Sequence, residues 1–140
     1  MTRHQVRIVK SSFQALTPQR NRLAGLFFAQ LFVREPSLRP VFRGDLRVRG
    51  AELFEGLAAI VDSLDRPYPI VPALEWLAVQ SAHRGVGERH YWTIIEAMLS
   101  AFRDGLGEDF TVELELAWRE AARQVSTIMV GALEAEPLAA

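Results

Sequence analysis

The most informative stretch of this sequence reads Ile70-Val-Pro-Ala-Leu-Glu-Trp-Leu-Ala-Val-Gln-Ser81 and continues as Ala82-His-Arg-Gly-Val86. Its apolar residues recur at helical spacing, and glycine, here Gly85, is the residue type that most often ends a helix. On a regular 3.6-residue period, His83 lies about 200° round the helix from Ser81. We therefore predict a helix that ends near His83. Its inward face carries four residues at i, i+3, i+4 and i+7: Leu74, Leu77, Ala78 and Ser81.

The composition limits what kind of protein this chain can be. Its 140 residues, 49% hydrophobic and 24% charged, suffice for one buried core, and we predict a single domain over residues 1–140. The net charge of -1 argues against a nucleic-acid partner, because phosphate contacts usually require a basic excess. The sequence contains no cysteine, which excludes disulfides and cysteine-held metal or cofactor sites.

The sequence contains no segment that is apolar enough to enter a membrane. Residues 1–7 lack the apolar core of a signal peptide. The densest apolar stretch, residues 23–33, is too short to cross a bilayer. We expect no membrane partner and a cytoplasmic location.

The hydrophobic periodicity is helical nearly throughout, and no alternating apolar-polar run competes as a strand. Thr17 and Pro18 predict a helix start with the threonine as its cap. Pro36 predicts a short helix that ends near Phe42, and Thr111 predicts the cap of the last helix. The pattern indicates an all-α fold with six to seven helices of unequal length. Residues 134–140 are expected to form a frayed tail.

The order of several short motifs resembles bacterial single-domain globins and the globin domain of flavohaemoglobins. These motifs are Leu31-Phe-Val-Arg-Glu-Pro-Ser-Leu-Arg-Pro-Val-Phe42, Ile60-Val-Asp-Ser-Leu-Asp65, Val71-Pro-Ala-Leu74, Leu77-Ala-Val79, Gly85-Val86, His90-Tyr91 and Ala117-Trp118. Each motif is weak alone, but their separations from Leu31 to Trp118 are those of the family. The resemblance implies a globin-like fold.

The resemblance also implies the walls of a haem pocket. Phe42 would stack on the haem plane, and Leu53 would lie over the side where a gas binds. Val86 would pack against the haem edge, and Tyr91 would line the floor. These residues are ordinary choices for such a pocket.

Two further positions of the implied pocket depart from the family pattern. Phe28 stands where the family often has a tyrosine that donates a hydrogen bond to bound oxygen. Arg49 stands at the distal position, which is commonly glutamine or histidine, and could pair with a haem propionate. Phe28 offers no hydroxyl, so the resemblance does not imply tight oxygen binding.

Ser81 stands where the family has the histidine that binds the haem iron, and a serine hydroxyl is not among the usual iron ligands. His83 is the candidate iron ligand only if haem is bound. To face the iron, it would need a two-residue shift of the helix register or a local unwinding of the helix. His83 also suits the negative end of a helix dipole without any ligand. His90 is expected to be structural or solvated, and His4 lies in an end that we expect to be exposed.

An empty pocket would be costly in this fold. A ligand pocket of ~300–1,000 Å³ left dry would cost roughly 7–24 kcal/mol, at about 24 cal/mol per Å³. The whole domain is expected to be stable by only about 5–15 kcal/mol. A haem-free version must therefore close, hydrate or fill the pocket, and three large side chains could help to fill it: Phe28, Trp76 and Arg49.

Two functional hypotheses follow from these residues. The first is a haem-free or atypical globin without enzymatic activity, a binding or sensing module that works through a homodimer, a signalling partner protein or a small apolar ligand. The second is a globin that holds haem b through His83 and binds a diatomic gas, oxygen or nitric oxide. A hydrolase or transferase is disfavoured, because no phosphate-binding loop or nucleophile–histidine–carboxylate set is visible.

Overall fold

The computed structural model describes residues 1–135, within which it contains six α-helices and no strand. The α-helices are α1 (Arg3–Leu16), α2 (Arg20–Arg34), α3 (Leu46–Asp62), α4 (Val71–His83), α5 (Tyr91–Leu106) and α6 (Val112–Ala135). Short 3-10 turns cover Thr17–Gln19, Pro36–Val41, Tyr68–Ile70, Glu88–His90 and Gly107–Asp109. The all-α prediction is confirmed. Helix α6 includes residues 134 and 135, where the tail was expected to start, and residues 136–140 lie outside the described part.

Helix α1 was not predicted, although its signals are in the sequence. The Thr2 hydroxyl accepts a hydrogen bond from the Gln5 backbone N–H at 3.0 Å, and the Thr2 N–H donates to the Gln5 side chain at 2.9 Å. This reciprocal pair is a capping box, which satisfies two otherwise free donors at a helix start. Val9, Phe13 and Leu16 are buried at helical spacing and attach α1 to the rest of the fold.

Thr17 does not cap the helix that follows it, contrary to the prediction. Its hydroxyl donates to the Phe13 carbonyl at 2.8 Å, so it closes the end of α1, and α2 begins only at Arg20. The cap predicted at Thr111 is present, because its hydroxyl accepts a hydrogen bond from the Leu114 N–H at 3.1 Å. A side-chain oxygen near a helix end can bind either neighbour, and sequence spacing alone does not choose between them.

Helix α2 is central, since it packs against both α3 and α5, while α4 and α1 pack on α6. The buried side chains form two groups. The main core joins α1, α2, α3, α5 and α6 through Val9, Phe13, Leu16, Leu23, Ala24, Phe54, Val61, Leu99, Phe102, Leu114, Ala117 and Trp118. The second group, called here the Phe28 cluster, contains Phe27, Phe28, Leu31, Leu38, Val86, Ala97 and Ala101.

Helices α2 and α3 cross closely at Gly50. A Cβ atom at this position would lie 2.7 Å from the Cβ of Ala24, which is closer than two carbon atoms can approach. Glycine thus allows α3 to lie against α2. The next turn of α3 then brings Leu53 against the Phe28 cluster.

No helix in residues 1–135 is both long and apolar enough to cross a membrane.

Candidate functional site

The end of α4 is closed by a pair of backbone hydrogen bonds around Gly85. The Val86 N–H donates to the Ser81 carbonyl at 2.9 Å, and the Gly85 N–H donates to the Ala82 carbonyl at 3.0 Å. Gly85 has a φ of 98°, in the left-handed region that favours glycine. This arrangement is a Schellman motif, in which Ser81 is the third residue from the end of the helix. The motif fixes the register of Ser81, His83 and Val86.

Ser81 is partly buried on α4, and the buried face of that helix carries Leu74 and Ala78. Leu77, predicted on the same face, is instead exposed at its edge. His83 is the last residue of α4 and is exposed. The structure therefore places Ser81 and His83 on opposite sides of the helix, as the period predicts.

The other two histidines are engaged elsewhere. His90 is 2% exposed, and its Nδ1 accepts a hydrogen bond from the Gly87 N–H at 3.0 Å, which makes it a structural residue of the turn before α5. His4 is exposed, as expected, and its Nε2 lies 2.6 Å from a carboxylate oxygen of Glu113. No group of three or more potential metal-binding side chains occurs within residues 1–135.

Four of the predicted pocket residues come together in the Phe28 cluster. Val86 and Phe28 belong to the cluster, and Phe42 and Leu53 pack against it. Phe28 is 2% exposed, and its ring lies 5.2 Å from that of Phe42, edge to face. Phe32 was not predicted as a site residue, but its ring stacks on Phe28 at 5.7 Å between centroids. Its spacing of four from Phe28 on α2 was a signal that could have identified it.

Tyr91 and Arg49 each carry a buried polar atom that lacks a hydrogen-bond partner. The Tyr91 hydroxyl is one, and burial together with the negative charge of Glu88 raises the pKa of this phenol. The Nε of Arg49 is another, while its Nη2 reaches a carboxylate oxygen of Glu52 at 3.3 Å. The Nε2 of the buried His90 also lacks a partner. An unsatisfied buried donor costs about 1–3 kcal/mol, so these atoms favour a bound acceptor.

Trp76 does not help to fill a pocket, contrary to the expectation from its size. Its side chain is 64% exposed, because it lies about 200° round α4 from the buried Leu74. Two shallow grooves of about 280 Å³ each flank α2. Their walls include Ala101 on one side and Phe28 on the other, but neither groove is lined by Ser81 or Tyr91.

Similar proteins agree with this fold. The flavohemoproteins of Bordetella parapertussis and Chromobacterium violaceum are 28% and 27% identical to the chain over 127 residues. Each alignment covers 89% of the chain, which spans only about a third of the length of these relatives (32% and 31%).

Solved structures are also similar. An engineered carbene transferase, made from a putative nitric oxide dioxygenase of Rhodothermus marinus, superposes with a TM-score of 0.81 at 26% identity. That superposition covers 97% of this chain and 99% of the other. A Campylobacter jejuni globin superposes with a TM-score of 0.82 at 18% identity, over 95% and 96% of the two chains, and supports the fold alone.

The model of the globin family matches residues 25–129, which is most of the described chain. Together with the six helices and the order of the motifs, this match settles the family. The chain belongs to the globin family.

Proposed function

We propose that this globin is a haem-free or atypical binding and sensing module. The observation that supports the proposal is the Schellman motif at the end of α4. By resemblance, Ser81 occupies the position of the iron-binding histidine. A two-residue shift of the helix register that brought His83 to this position would break both hydrogen bonds of the motif. The hydroxymethyl group of Ser81 offers no usual bond to iron.

The residues fit a flat apolar group better than they fit haem iron. Phe42, Leu53 and Val86 belong to or pack against one apolar cluster, which suits the face of a porphyrin or of another planar molecule. Iron ligation does not fit, because His83 is exposed and His4 is bound to Glu113. The buried Nε2 of His90 has no partner, but it carries the ring proton, because Nδ1 accepts the Gly87 N–H, and it therefore offers no free lone pair to iron.

The proposed ligand is a small, mostly apolar molecule with at least one hydrogen-bond acceptor. The apolar part would contact the Phe28 cluster, where the stacked rings of Phe28 and Phe32 already occupy volume. An acceptor on the ligand would satisfy the Nε of Arg49 or the hydroxyl of Tyr91. Ligand binding would then act on a partner protein or on a second copy of the chain.

The test compares two probes of the same shape, haemin and metal-free protoporphyrin IX. We expect the wild-type chain to bind haemin no more tightly than protoporphyrin IX, because the iron finds no protein ligand. Ser81→His should strengthen the binding of haemin alone and produce a histidine-ligated absorbance spectrum. Ala82→His, one residue along α4 and pointing about 100° away, is the matched control and should do neither. Stoichiometric haemin binding by the wild-type chain, with a histidine-ligated spectrum, would overturn the proposal.

The second candidate is a haem b globin that uses His83 as iron ligand and binds a diatomic gas. The relatives named above favour it, since two are flavohemoproteins and one solved structure is an engineered form of a putative nitric oxide dioxygenase. Enzymatic turnover of nitric oxide belongs to this candidate, and our proposal predicts none for the isolated chain. Consumption of nitric oxide by the haemin-treated chain with a chemical reductant, lost in His83→Ala, would establish the second candidate.

A further inference from the structure

A row of four half-buried or exposed charged side chains crosses the outer seam between α5 and α6. Glu96 accepts a hydrogen bond from Arg119 Nη1 at 2.6 Å, and Arg119 Nε donates to Glu115 at 3.0 Å. The row ends with Arg103, whose Nη2 donates to the other carboxylate oxygen of Glu115 at 2.7 Å. Along the seam the charges alternate in sign: negative, positive, negative, positive. We call this the charge row.

Apolar side chains that face solvent lie at both ends of the charge row. Trp92 is 66% exposed at the Glu96 end, where the guanidinium of Arg119 lies 5.5 Å from its ring centroid. Val112 and Leu116 are 77% and 58% exposed on the first two turns of α6, towards the Arg103 end. Helical spacing aligns Val112, Leu116 and Arg119 on one outward stripe of α6. Surface tryptophan and arginine side chains of this kind are typical of protein interfaces.

We propose that this face of α5 and α6 binds a second copy of the chain in a twofold dimer. A row that reads negative, positive, negative, positive becomes its own complement when it is reversed. A twofold axis through the middle of the row would therefore place Arg103 opposite Glu96 of the partner copy, and Arg119 opposite its Glu115. Such an isologous contact uses the same patch on both copies.

The same twofold axis accounts for the positions of the exposed apolar residues at the two ends of the charge row. Trp92 lies beyond one end of the row, and Val112 lies beyond the other. Reversal therefore brings Trp92 of each copy onto Val112 and Leu116 of the other, so that all three side chains leave water. Opposite charges fix the orientation of the copies, while the apolar contacts supply most of the affinity.

The first experiment measures the mass of the wild-type chain by sedimentation velocity over a wide range of concentrations. We expect a reversible dimer, and Trp92→Arg should raise its dissociation constant about thirtyfold or more, as for the loss of a tryptophan that becomes buried at an interface. Trp76→Arg is the matched control, because Trp76 is equally exposed on α4 and outside the proposed face. Circular dichroism confirms that both variants are folded.

The second experiment tests the twofold arrangement. Val112→Glu should also be monomeric on its own, because its carboxylate would be buried against Trp92. An equimolar mixture of Trp92→Arg and Val112→Glu should form mixed dimers, since one apolar contact is kept and the other becomes an ion pair. A wild-type chain that stays monomeric, an equal loss in Trp76→Arg, or a mixture without dimers would each overturn the proposal. A dimer that survives in Trp92→Arg would place the interface elsewhere and would equally overturn it.

Discussion

The backbone N–H of Val86 donates a hydrogen bond to the carbonyl of Ser81 at 2.9 Å, across the end of α4. This bond joins the residue that stands for the iron ligand to a buried member of the Phe28 cluster. The orientation of Ser81 is therefore coupled to the packing of the Phe28 cluster, because the turn at Gly85 connects the two.

Gly85→Ala should destabilise the protein by about 1–2 kcal/mol, because a Cβ atom is strained at a φ of 98°. Gly87→Ala is the control, since Gly87 has an ordinary φ of -109° and a Cβ atom added there would meet nothing within 4 Å. Urea denaturation measures both free energies of unfolding. An equal loss in the two variants would show that the left-handed turn is not what closes α4.

His83→Ala should leave the haemin affinity and the absorbance spectrum unchanged, because His83 points away from the buried face of α4. The measurement is a haemin titration followed by absorbance. A lost or shifted Soret band in this variant would support the second candidate function and would mean that α4 unwinds when haem binds.

Gly50→Ala should destabilise the protein by about 1–3 kcal/mol, since the new methyl group would meet the Cβ of Ala24 at 2.7 Å. Ala24→Gly in the same chain should recover part of that loss. Gly56→Ala on the same helix has open space around it and should be neutral or stabilising by up to about 1 kcal/mol. Thermal denaturation of the wild-type chain and the three variants separates a steric clash from a general effect of removing glycine from α3.

Ser12→Ala should cost about 1–3 kcal/mol, because it leaves the buried indole N–H of Trp118 without its acceptor at 2.9 Å. Trp118→Phe removes the donor, and a double-mutant cycle of the two changes isolates the bond from the loss of the indole ring. Ser63→Ala removes an exposed hydroxyl that donates to Ala59, and it should change stability by less than about 0.5 kcal/mol. Equal effects of Ser12→Ala and Ser63→Ala would contradict the role of burial.

Stability should fall as the pH is lowered from about 5 towards 2. Hydrogen bonds from Arg103 and then Arg119 lower the pKa of Glu115, and a hydrogen bond from Arg123 lowers the pKa of Glu120 from 4.5 to about 2. A carboxyl whose pKa is lower in the folded state stabilises the fold above its unfolded pKa and loses this effect as the pH falls through its folded pKa. Urea denaturation at a series of pH values should therefore show a shallower acid slope for Glu115→Gln and Glu120→Gln than for the wild-type chain. Glu55→Gln, on the exposed side of α3, is the control. An acid slope that is unchanged in all three variants would contradict the role of Glu115 and Glu120 in the acid sensitivity.

Much of the fold could be predicted because its signals are local. Glycine, proline and capping residues mark helix ends through the dihedral angles and donors of a few neighbouring residues. This is why the end of α4 at Gly85 and the cap at Thr111 were predicted where they occur. The missed helix α1 had the same kind of signal in Thr2 and Gln5.

The candidate site was predicted less completely, because exposure depends on what covers each helix face. Trp76 was expected to fill a pocket from its size, yet its position on α4 turns it towards solvent. Arg49 was expected at a pocket, and only part of its side chain is enclosed: its Nε is buried, while its Nη2 pairs with Glu52.

The sequence by itself determined the all-α fold, the order of α2 to α6 and the register that puts Ser81 in line with the buried Leu74. These features follow from hydrogen bonds and side-chain periods that extend over four or seven residues, and the order of the short motifs added the resemblance to globins. Only the tertiary structure decided that Phe28, Phe42, Leu53 and Val86 share one apolar cluster, and that α5 and α6 align an alternating row of charges. Those contacts join residues from different helices and loops, and their positions are set by close packing between elements rather than by any local preference.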